Sequence, residues 1–216
     1  MKPSKTFFFT VEGETEKWYL EWLQKQINEC EEATYRAVFD CQIQKNPLKR
    51  AKSLTVTTKT VLYHLSDYES NELIHVRNFK STMDNLKAAS KLGKEIKCQF
   101  GYTNLTFDLW IILHKIDCRT SFSHRKYYIT PINNAFNESF ENMDIYKHER
   151  NFKRILSKIS LADVKNAINR AKSIQNKNAD NGYTLHQYKG YKYYEENPSL
   201  EIGNIIQNIF KECGIL

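Results

Sequence analysis

Acidic side chains cluster in three short segments, residues 11–16, 66–69 and 103–108, and each segment follows a hydrophobic stretch typical of a β-strand. A fold that brings these strand ends to one edge would gather their carboxylates into a divalent-metal site. The chain as a whole is basic, with 32 lysines and arginines against 25 aspartates and glutamates. Acidic metal ligands in a basic protein indicate phosphodiester chemistry, because the metal polarises a phosphate and the basic surface attracts it.

The individual carboxylates suit a magnesium ion, which needs only one or two protein carboxylates besides its waters. Glu12 comes directly after the first apolar stretch, and Gly13 lets the backbone turn closely against a phosphate or a metal-bound water. Asp67 and Glu69 are two residues apart, so in extended structure their side chains point to the same side and can share an ion.

Each acidic residue also has a structural interpretation. Residues 14–16 could be an N-terminal capping arrangement in which Glu14 favours the helix dipole. Asp67 could cap a helix, and a D-x-E pair often arises by chance. Asp108 follows Phe107 within an apolar segment, where a buried carboxylate is costly without a partner.

Asn104 and Asp108 would lie on one face if both belonged to a helix. Asn104 could then cap that helix, while Asp108 holds a basic side chain or orients a water, and both would support the site. His114 faces elsewhere, and we expect it to be structural.

The elements that must position these residues alternate between strand and helix. Apolar and alternating patterns predict four strands, at residues 5–11, 34–44, 61–65 and 94–102, and four helices, at 15–31, 48–59, 71–91 and 107–114. This order predicts an α/β fold with a mainly parallel sheet, whose ligands gather at the carboxyl ends of the strands.

The second half of the chain is more polar and mainly helical. We therefore expect an α/β core at residues 1–117 and a helical C-terminal part at 118–216, packed on that core. Helices are predicted at 145–157, 161–177 and 199–212, whereas residues 118–144 and 178–198 predict no regular strand.

Composition excludes several classes of protein. The five cysteines are odd in number and form no C-x-x-C pair, which predicts reduced thiols rather than a disulfide framework or a zinc site. The apolar run at residues 7–9 is too short for a signal sequence or a membrane span, and no later run approaches the length of a membrane span. We expect a cytoplasmic protein with no membrane partner.

The motifs resemble those of the RloB-like family. Its members typically carry E-G-x-T-E-x-x-Y, then a D-x-D pair after a strand, then S-N-P-x-F-E-L-W-L-L-L-H. Here residues 11–19 read Val-Glu-Gly-Glu-Thr-Glu-Lys-Trp-Tyr, residues 67–69 supply the acidic pair, and residues 103–114 read Thr-Asn-Leu-Thr-Phe-Asp-Leu-Trp-Ile-Ile-Leu-His. The third motif is the most specific, and the resemblance is strongest over residues 5–115.

This resemblance implies a TOPRIM-like fold, the metal-binding α/β domain of topoisomerases, primases and OLD-family nucleases. It also implies a bacterial phage-defence or abortive-infection setting, often beside a partner ATPase. Carried over to this chain, Glu12 would be a general acid or base and a metal ligand. Asp67 and Glu69 would be catalytic residues that bind Mg²⁺ or Mn²⁺. Glu16 would assist catalysis at the edge of the metal site.

Three positions depart from the family pattern. Glu69 replaces the second aspartate of D-x-D and reaches one methylene further. Leu105 stands where proline is usual, and Asp108 where glutamate is usual, which implies an altered geometry after that strand. These changes put metal preference or efficiency in doubt.

Basic residues among aromatics suggest a surface for DNA or RNA. Lys49, Arg50 and Lys52 are expected to be exposed on the short helix at 48–59. Lys189 and Lys192 alternate with tyrosines, which could line a nucleic-acid track by charge and stacking. An exposed strand or a partner surface explains the same pattern.

Two functions of different classes follow. The first is a magnesium-dependent nuclease that cleaves DNA or RNA. The second is a non-catalytic effector or regulatory subunit that binds a partner ATPase and retains only a weak or vestigial acidic site.

Overall fold

A four-stranded parallel sheet forms the centre of the protein, in a computed structural model that describes residues 2–216. Its strands are β1 (Ser4–Val11), β2 (Arg36–Ile43), β3 (Thr60–Tyr68) and β4 (Ile96–Asn104), in the spatial order β2-β1-β3-β4. All three pairs of neighbours are parallel. The chain moves from β1 to β2 on one side and then returns to β3 on the other. The strand order therefore changes direction between β1 and β3, where α/β sheets commonly bind ligands.

Helices cover both faces of this sheet. They are α1 (Glu14–Glu29), α2 (Pro47–Ser53), α3 (Leu73–Ala89), α4 (Asp108–Leu113), α5 (Ile129–Phe136), α6 (Met143–Lys147), α7 (Glu149–Leu156), α8 (Leu161–Asp180) and α9 (Ile202–Cys213). A short 3₁₀ helix, Arg125–Tyr128, precedes α5, and a small antiparallel hairpin joins β5 (His186–Tyr188) to β6 (Tyr191–Tyr193). The predicted α/β fold with a parallel sheet and a helical C-terminal part is confirmed.

The alternation of side chains along the strands divides the core into two layers. Phe7 and Phe9 of β1 pack with α1 and with the helices from α4 to α9. Phe8 of the same strand, with Leu62 and Phe100, faces α2, α3 and the hairpin. The C-terminal helices thus complete the core over one face of the sheet.

The basic helix after β2 differs from its prediction in length and in exposure. It ends at Ser53 rather than at residue 59. The prediction that Arg50 is exposed is wrong, because its guanidinium lies 2.6 Å from the carboxylate of Asp40 and the residue is only 9% exposed. Lys49 and Lys52 do face solvent.

The C-terminal part also departs from the prediction in three places. The helix predicted at 145–157 is interrupted at His148, whose ψ of 134° is not helical, so it forms α6 and α7. The helix predicted from residue 199 begins at Ile202, because Leu200 forms an antiparallel bridge to Thr103 at the edge of β4. The polar stretch 178–198 contains the β5–β6 hairpin.

The cysteines and the apolar character of the helices can be compared with the expectations from composition. Within residues 2–216, all five cysteines are free thiols. In the same range, no helix combines the length and the apolar character that crossing a membrane requires.

Candidate active site at the carboxyl edge of the sheet

Glu12 and the end of β3 are joined at the switch point of the sheet. Glu12 directly follows β1 and is half-buried. Its Oε1 accepts a hydrogen bond of 3.0 Å from the hydroxyl of Ser66, and its Oε2 lies 3.5 Å from the backbone N–H of Asp67. Burial raises the pKa of Glu12, whereas these hydrogen bonds and the positive charge of Lys45 oppose the increase. The two strand ends therefore share one polar network.

Asp67 is the second carboxylate at this point. It occupies the penultimate position of β3, opposite Thr103 of β4. Burial is the main cause that raises its pKa well above the usual aspartate range, and the nearby negative charges of Glu16 and Glu12 raise it further. These carboxylates lie close enough to repel one another, so a cation between them would relieve a real electrostatic cost.

Glu16 reaches this cluster from the first turn of α1. The residue is only 7% exposed, and its Oε2 accepts a hydrogen bond of 3.0 Å from Thr15. Burial raises the pKa of Glu16. A Cβ atom on Gly13 would lie 3.1 Å from Glu16 Oε2, so glycine leaves room for the carboxylate against the backbone. Glu14, in contrast, is exposed.

The capping arrangement suggested for residues 14–16 is not present. Gly13 occupies the N-cap position of α1, and no side chain caps the helix there. Glu14 and Glu16 do lie in the first turn, where negative charge favours the helix dipole.

Asp108 holds a basic side chain, one of the two roles expected for it. It is fully buried as the first residue of α4, and its Oδ2 lies 2.9 Å from Nζ of Lys147. The same oxygen accepts a hydrogen bond of 2.7 Å from Thr106. Burial alone would lower the pKa of Lys147, but the carboxylates of Asp108, Asp67 and Glu16 raise it overall. Lys147 is therefore a resident positive charge beside the acidic cluster.

The other carboxylate oxygen of Asp108 has a different environment. Oδ1 has no hydrogen-bond partner within the described residues, and the hydroxyl of Tyr146 is likewise unpaired there. Burial and the Asp108 carboxylate both raise the pKa of Tyr146 well above its usual value. The Tyr146 hydroxyl therefore interacts with the Asp108 carboxylate, although neither it nor Oδ1 makes a hydrogen bond of regular geometry.

Asn104 does not cap a helix, so this interpretation of the sequence is wrong. It is the last residue of β4, and α4 begins only at Asp108. Its amide nitrogen donates to the carbonyls of Glu195 and Glu196, at 2.9 and 3.2 Å. Asn104 therefore fastens the segment before α9 to the end of β4.

The turn between β4 and α4 contains the departure noted at Leu105. Leu105 has a φ of 67°, in the left-handed region that non-glycine residues rarely adopt. Its N–H donates 2.9 Å to the carbonyl of Tyr68, which ties the end of β4 to the end of β3. Proline fixes φ near −65° and has no N–H, so it could not occupy this conformation. The turn of this chain is thus different from one built on proline.

Glu69 lies at the rim of the cluster rather than within it. It is exposed and follows the last residue of β3, and its Oε2 is 3.1 Å from Nε2 of His75. It lines the same cleft as Glu12 and Asp67. The predicted D-x-E pair therefore divides into an inner Asp67 and an outer Glu69.

None of the predicted nucleic-acid residues lines this cleft. Lys189 and Lys192 are exposed on the hairpin, and Lys189 lies 3.2 Å from Asp84 of α3. Lys49 and Lys52 are exposed on α2, whereas Arg50 is engaged with Asp40.

The acidic residues suit magnesium better than a metal that needs many protein ligands. In the described part of the chain, no three His, Cys, Asp or Glu side chains are arranged to hold a metal ion. Glu12 and Asp67 nevertheless supply carboxylate oxygens from adjacent strands, and Mg²⁺ takes one or two such ligands and keeps its waters. The electrostatic repulsion at Asp67 fits a cation at this position.

Three site residues were not anticipated as such from the sequence: Lys45, Ser66 and Lys147. Ser66 precedes Asp67 at the same strand end, so its position was a usable signal. The cost of burying Asp108 predicted some basic partner. The family resemblance at residues 146–147 is loose and does not connect Lys147 with Asp108, because their contact arises from the tertiary fold.

Comparison with known proteins identifies the family of this chain. No curated protein and no solved structure is detectably similar to it. A family model described as RloB-like protein matches residues 7–209, from β1 into α9. The match includes the three acidic motifs and continues through the helical C-terminal part. The chain therefore belongs to the RloB-like family.

Proposed function

We propose that this protein is a magnesium-dependent nuclease of TOPRIM-like architecture that cleaves DNA or RNA in bacterial phage defence or abortive infection. One observation carries the proposal: Glu12 and Asp67 share a hydrogen-bonded network at the β1/β3 switch point, with Glu16 beside them. The formal net charge of +7 favours an anionic substrate for a site built from acids.

Four carboxylates take part in this proposal. Asp67 and Glu12 would hold Mg²⁺ or Mn²⁺, which would supply positive charge to polarise the scissile phosphate. Glu12 also transfers a proton, since burial raises its pKa toward the working range of a general acid or base. Glu16 supports the metal from α1, and Glu69 contributes from the rim.

Cleavage by the purified protein tests the activity. Plasmid DNA, single-stranded DNA and total RNA are incubated with Mg²⁺, Mn²⁺ or EDTA. We expect cleavage of at least one substrate with metal and none with EDTA. Glu12→Gln and Asp67→Asn should each reduce the rate at least about a hundredfold, as expected when a catalytic or metal-binding group is lost.

Glu14, in the first turn of α1 with Glu16, provides a matched control. Glu14→Gln removes an exposed carboxylate next to the site and should cleave at the wild-type rate. Circular dichroism verifies that each variant is folded. Retained cleavage by a folded Glu12→Gln or Asp67→Asn variant would refute the role given to that residue.

The resident cation favours a second candidate function. Lys147 already supplies positive charge to Asp108 and to the neighbouring acids, as a vestigial site stabilised without metal would require. The protein would then be an effector or regulatory subunit that binds a partner ATPase. Co-purification with that ATPase, together with no metal-dependent cleavage alone or in the complex, would favour this function over the nuclease.

A further inference from the structure

Helix α3 sorts its side chains into three sets with different surroundings. Phe79, Met83 and Leu86 are buried against the sheet. The charged Lys80 and Asp84 face the β5–β6 hairpin instead. Asp84 accepts a hydrogen bond of 3.2 Å from the hydroxyl of Tyr188, and Nζ of Lys80 lies 5.8 Å from the centre of the same ring.

The third set is uncharged and polar, and it lines the cleft that contains the carboxylates. It consists of Asn78, Ser81, Thr82 and Asn85, at the three- and four-residue spacing of one helix face. The hydroxyl of Thr82 donates to the backbone carbonyl of Asn78, at 3.3 Å. The two amides and the Ser81 hydroxyl therefore remain as the polar surface that α3 offers to a ligand.

The cleft also has a cationic side. Lys45 follows β2, lines the cleft and acts electrostatically on Glu12. A ligand that enters the cleft would thus meet carboxylates on one side and a lysine beside them. Along α3 it would meet neutral hydrogen-bonding groups and His75, which contacts Glu69.

This distribution matches an unpaired nucleotide better than a duplex. A duplex presents charged phosphates outward and keeps its base edges paired, so most of the affinity of a protein for its backbone comes from basic side chains. Amide and hydroxyl groups suit base edges and sugar hydroxyls, which an unpaired nucleotide exposes. The wall of α3 next to the carboxylates supplies groups of this second kind.

We infer that this cleft binds one unpaired nucleotide of a single-stranded nucleic acid, with Asn78, Ser81 and Asn85 against its base and sugar and Lys45 near its phosphate. The inference rests on the proposed function, because the carboxylates at the base of the cleft are its proposed catalytic groups. It adds that the substrate is single-stranded at the cleavage position.

Binding is measured separately from cleavage. Fluorescence anisotropy compares one labelled oligonucleotide sequence as a single strand and as a duplex, in both DNA and RNA form. The Asp67→Asn background with Mg²⁺ prevents turnover during the titration. We expect single strands to bind about tenfold or more tightly than the matching duplexes. Asn78→Ala/Asn85→Ala should weaken single-strand binding about tenfold, the effect of losing one to two hydrogen bonds.

The control is a pair of exposed amides elsewhere. Asn166→Ala/Asn169→Ala changes two exposed asparagines of α8 and should leave binding unchanged. Thermal unfolding confirms that both double variants fold. Equal binding of single strands and duplexes, or no effect of the α3 substitutions in a folded protein, overturns the inference.

The two proposals fail in different ways. If wild-type protein cleaves with Mg²⁺ but the α3 variant binds and cleaves normally, the nuclease assignment stands and the inference is wrong. If wild-type protein cleaves nothing while single strands bind through Asn78 and Asn85, the binding site stands and the nuclease assignment is wrong.

Discussion

Nζ of Lys147 lies 2.9 Å from Oδ2 of Asp108, and the Asp108 side chain is fully buried. This contact joins the start of α4 to the end of α6, two elements that are separate in the sequence. It places a permanent cation beside the carboxylates at the switch point. Because Lys147 is 34% exposed, it can also face a ligand there.

Removal of this lysine should destabilise the fold. Lys147→Met leaves the Asp108 carboxylate buried without its counter-charge, and we expect the free energy of unfolding to fall by roughly 2–4 kcal/mol. This range lies somewhat below that for a fully buried pair, since Lys147 is partly solvated. Urea denaturation measures the change.

A double variant separates charge from packing. Asp108→Asn in the Lys147→Met background removes the unpaired charge and should recover at least half of the lost stability. If the double variant is no more stable than Lys147→Met alone, the ion pair does not stabilise the protein.

The turn at Leu105 gives a prediction about the backbone. Leu105→Pro restores the residue usual in the family but is incompatible with a φ of 67° and removes the hydrogen bond to the Tyr68 carbonyl. We expect it to cost roughly 3 kcal/mol of stability more than Leu105→Ala, which removes the same side chain and keeps the backbone. Urea denaturation of both variants gives this difference. Equal stability would show that the turn can adopt the proline conformation.

His114 should make the protein sensitive to mild acid. It is buried, with Nδ1 2.8 Å from the Trp110 carbonyl and Nε2 3.2 Å from the hydroxyl of Tyr19. Burial lowers its pKa to about 4, and the adjacent Lys115–Asp163 ion pair faces the same region. The lowered pKa keeps the ring neutral in the folded protein.

The sign of the effect follows from proton binding. The folded-state pKa of His114 is below the unfolded value of about 6.5, so the unfolded chain binds the extra proton between these values. Stability that is present above about pH 6.5 is therefore lost as the pH falls toward 4, by up to about 1.4 kcal/mol per pH unit.

Urea unfolding across this pH range checks the prediction. His114→Gln should reduce the slope by about one proton while it lowers stability at neutral pH. The second buried histidine, His64, has a pKa lowered to about 3 and is present in both proteins, so its contribution cancels. An unchanged slope in the variant would assign the acid sensitivity to other groups.

The sequence predicted the positions of the carboxylates at strand ends better than the contacts between distant segments. Glu12 and Asp67 were found because alternating strands and helices force a parallel sheet, and such a sheet collects its strand ends at one edge. Arg50 was misjudged because its helical position indicates exposure, while its pairing with Asp40 depends on how α2 packs. Asn104 was misassigned because β4 extends further than its apolar pattern. The contact of Lys147 with Asp108 could be recognised only in the tertiary fold.

Metal should stabilise the folded protein even where no substrate is present. Glu12, Glu16 and Asp67 repel one another, and a cation that binds the folded state relieves this repulsion. At ten times its dissociation constant, such a ligand adds about 1.4 kcal/mol, which corresponds to a rise of roughly 3–6 °C in Tm for a protein of this size. Differential scanning fluorimetry with Mg²⁺ or Mn²⁺, against a matched Ca²⁺ series and EDTA, measures the rise.

The positions of Asp67 and Glu69 predict unequal effects on this metal-dependent rise in Tm. Asp67→Asn should abolish the rise, because Asp67 lies inside the cluster. Glu69→Gln should keep at least half of it, because Glu69 is exposed and already contacts His75 at 3.1 Å. Glu14→Gln, outside the cluster, should behave as wild type. If Glu69→Gln removes the rise and Asp67→Asn does not, the outer carboxylate is the main ligand, and the metal lies at the rim of the cleft.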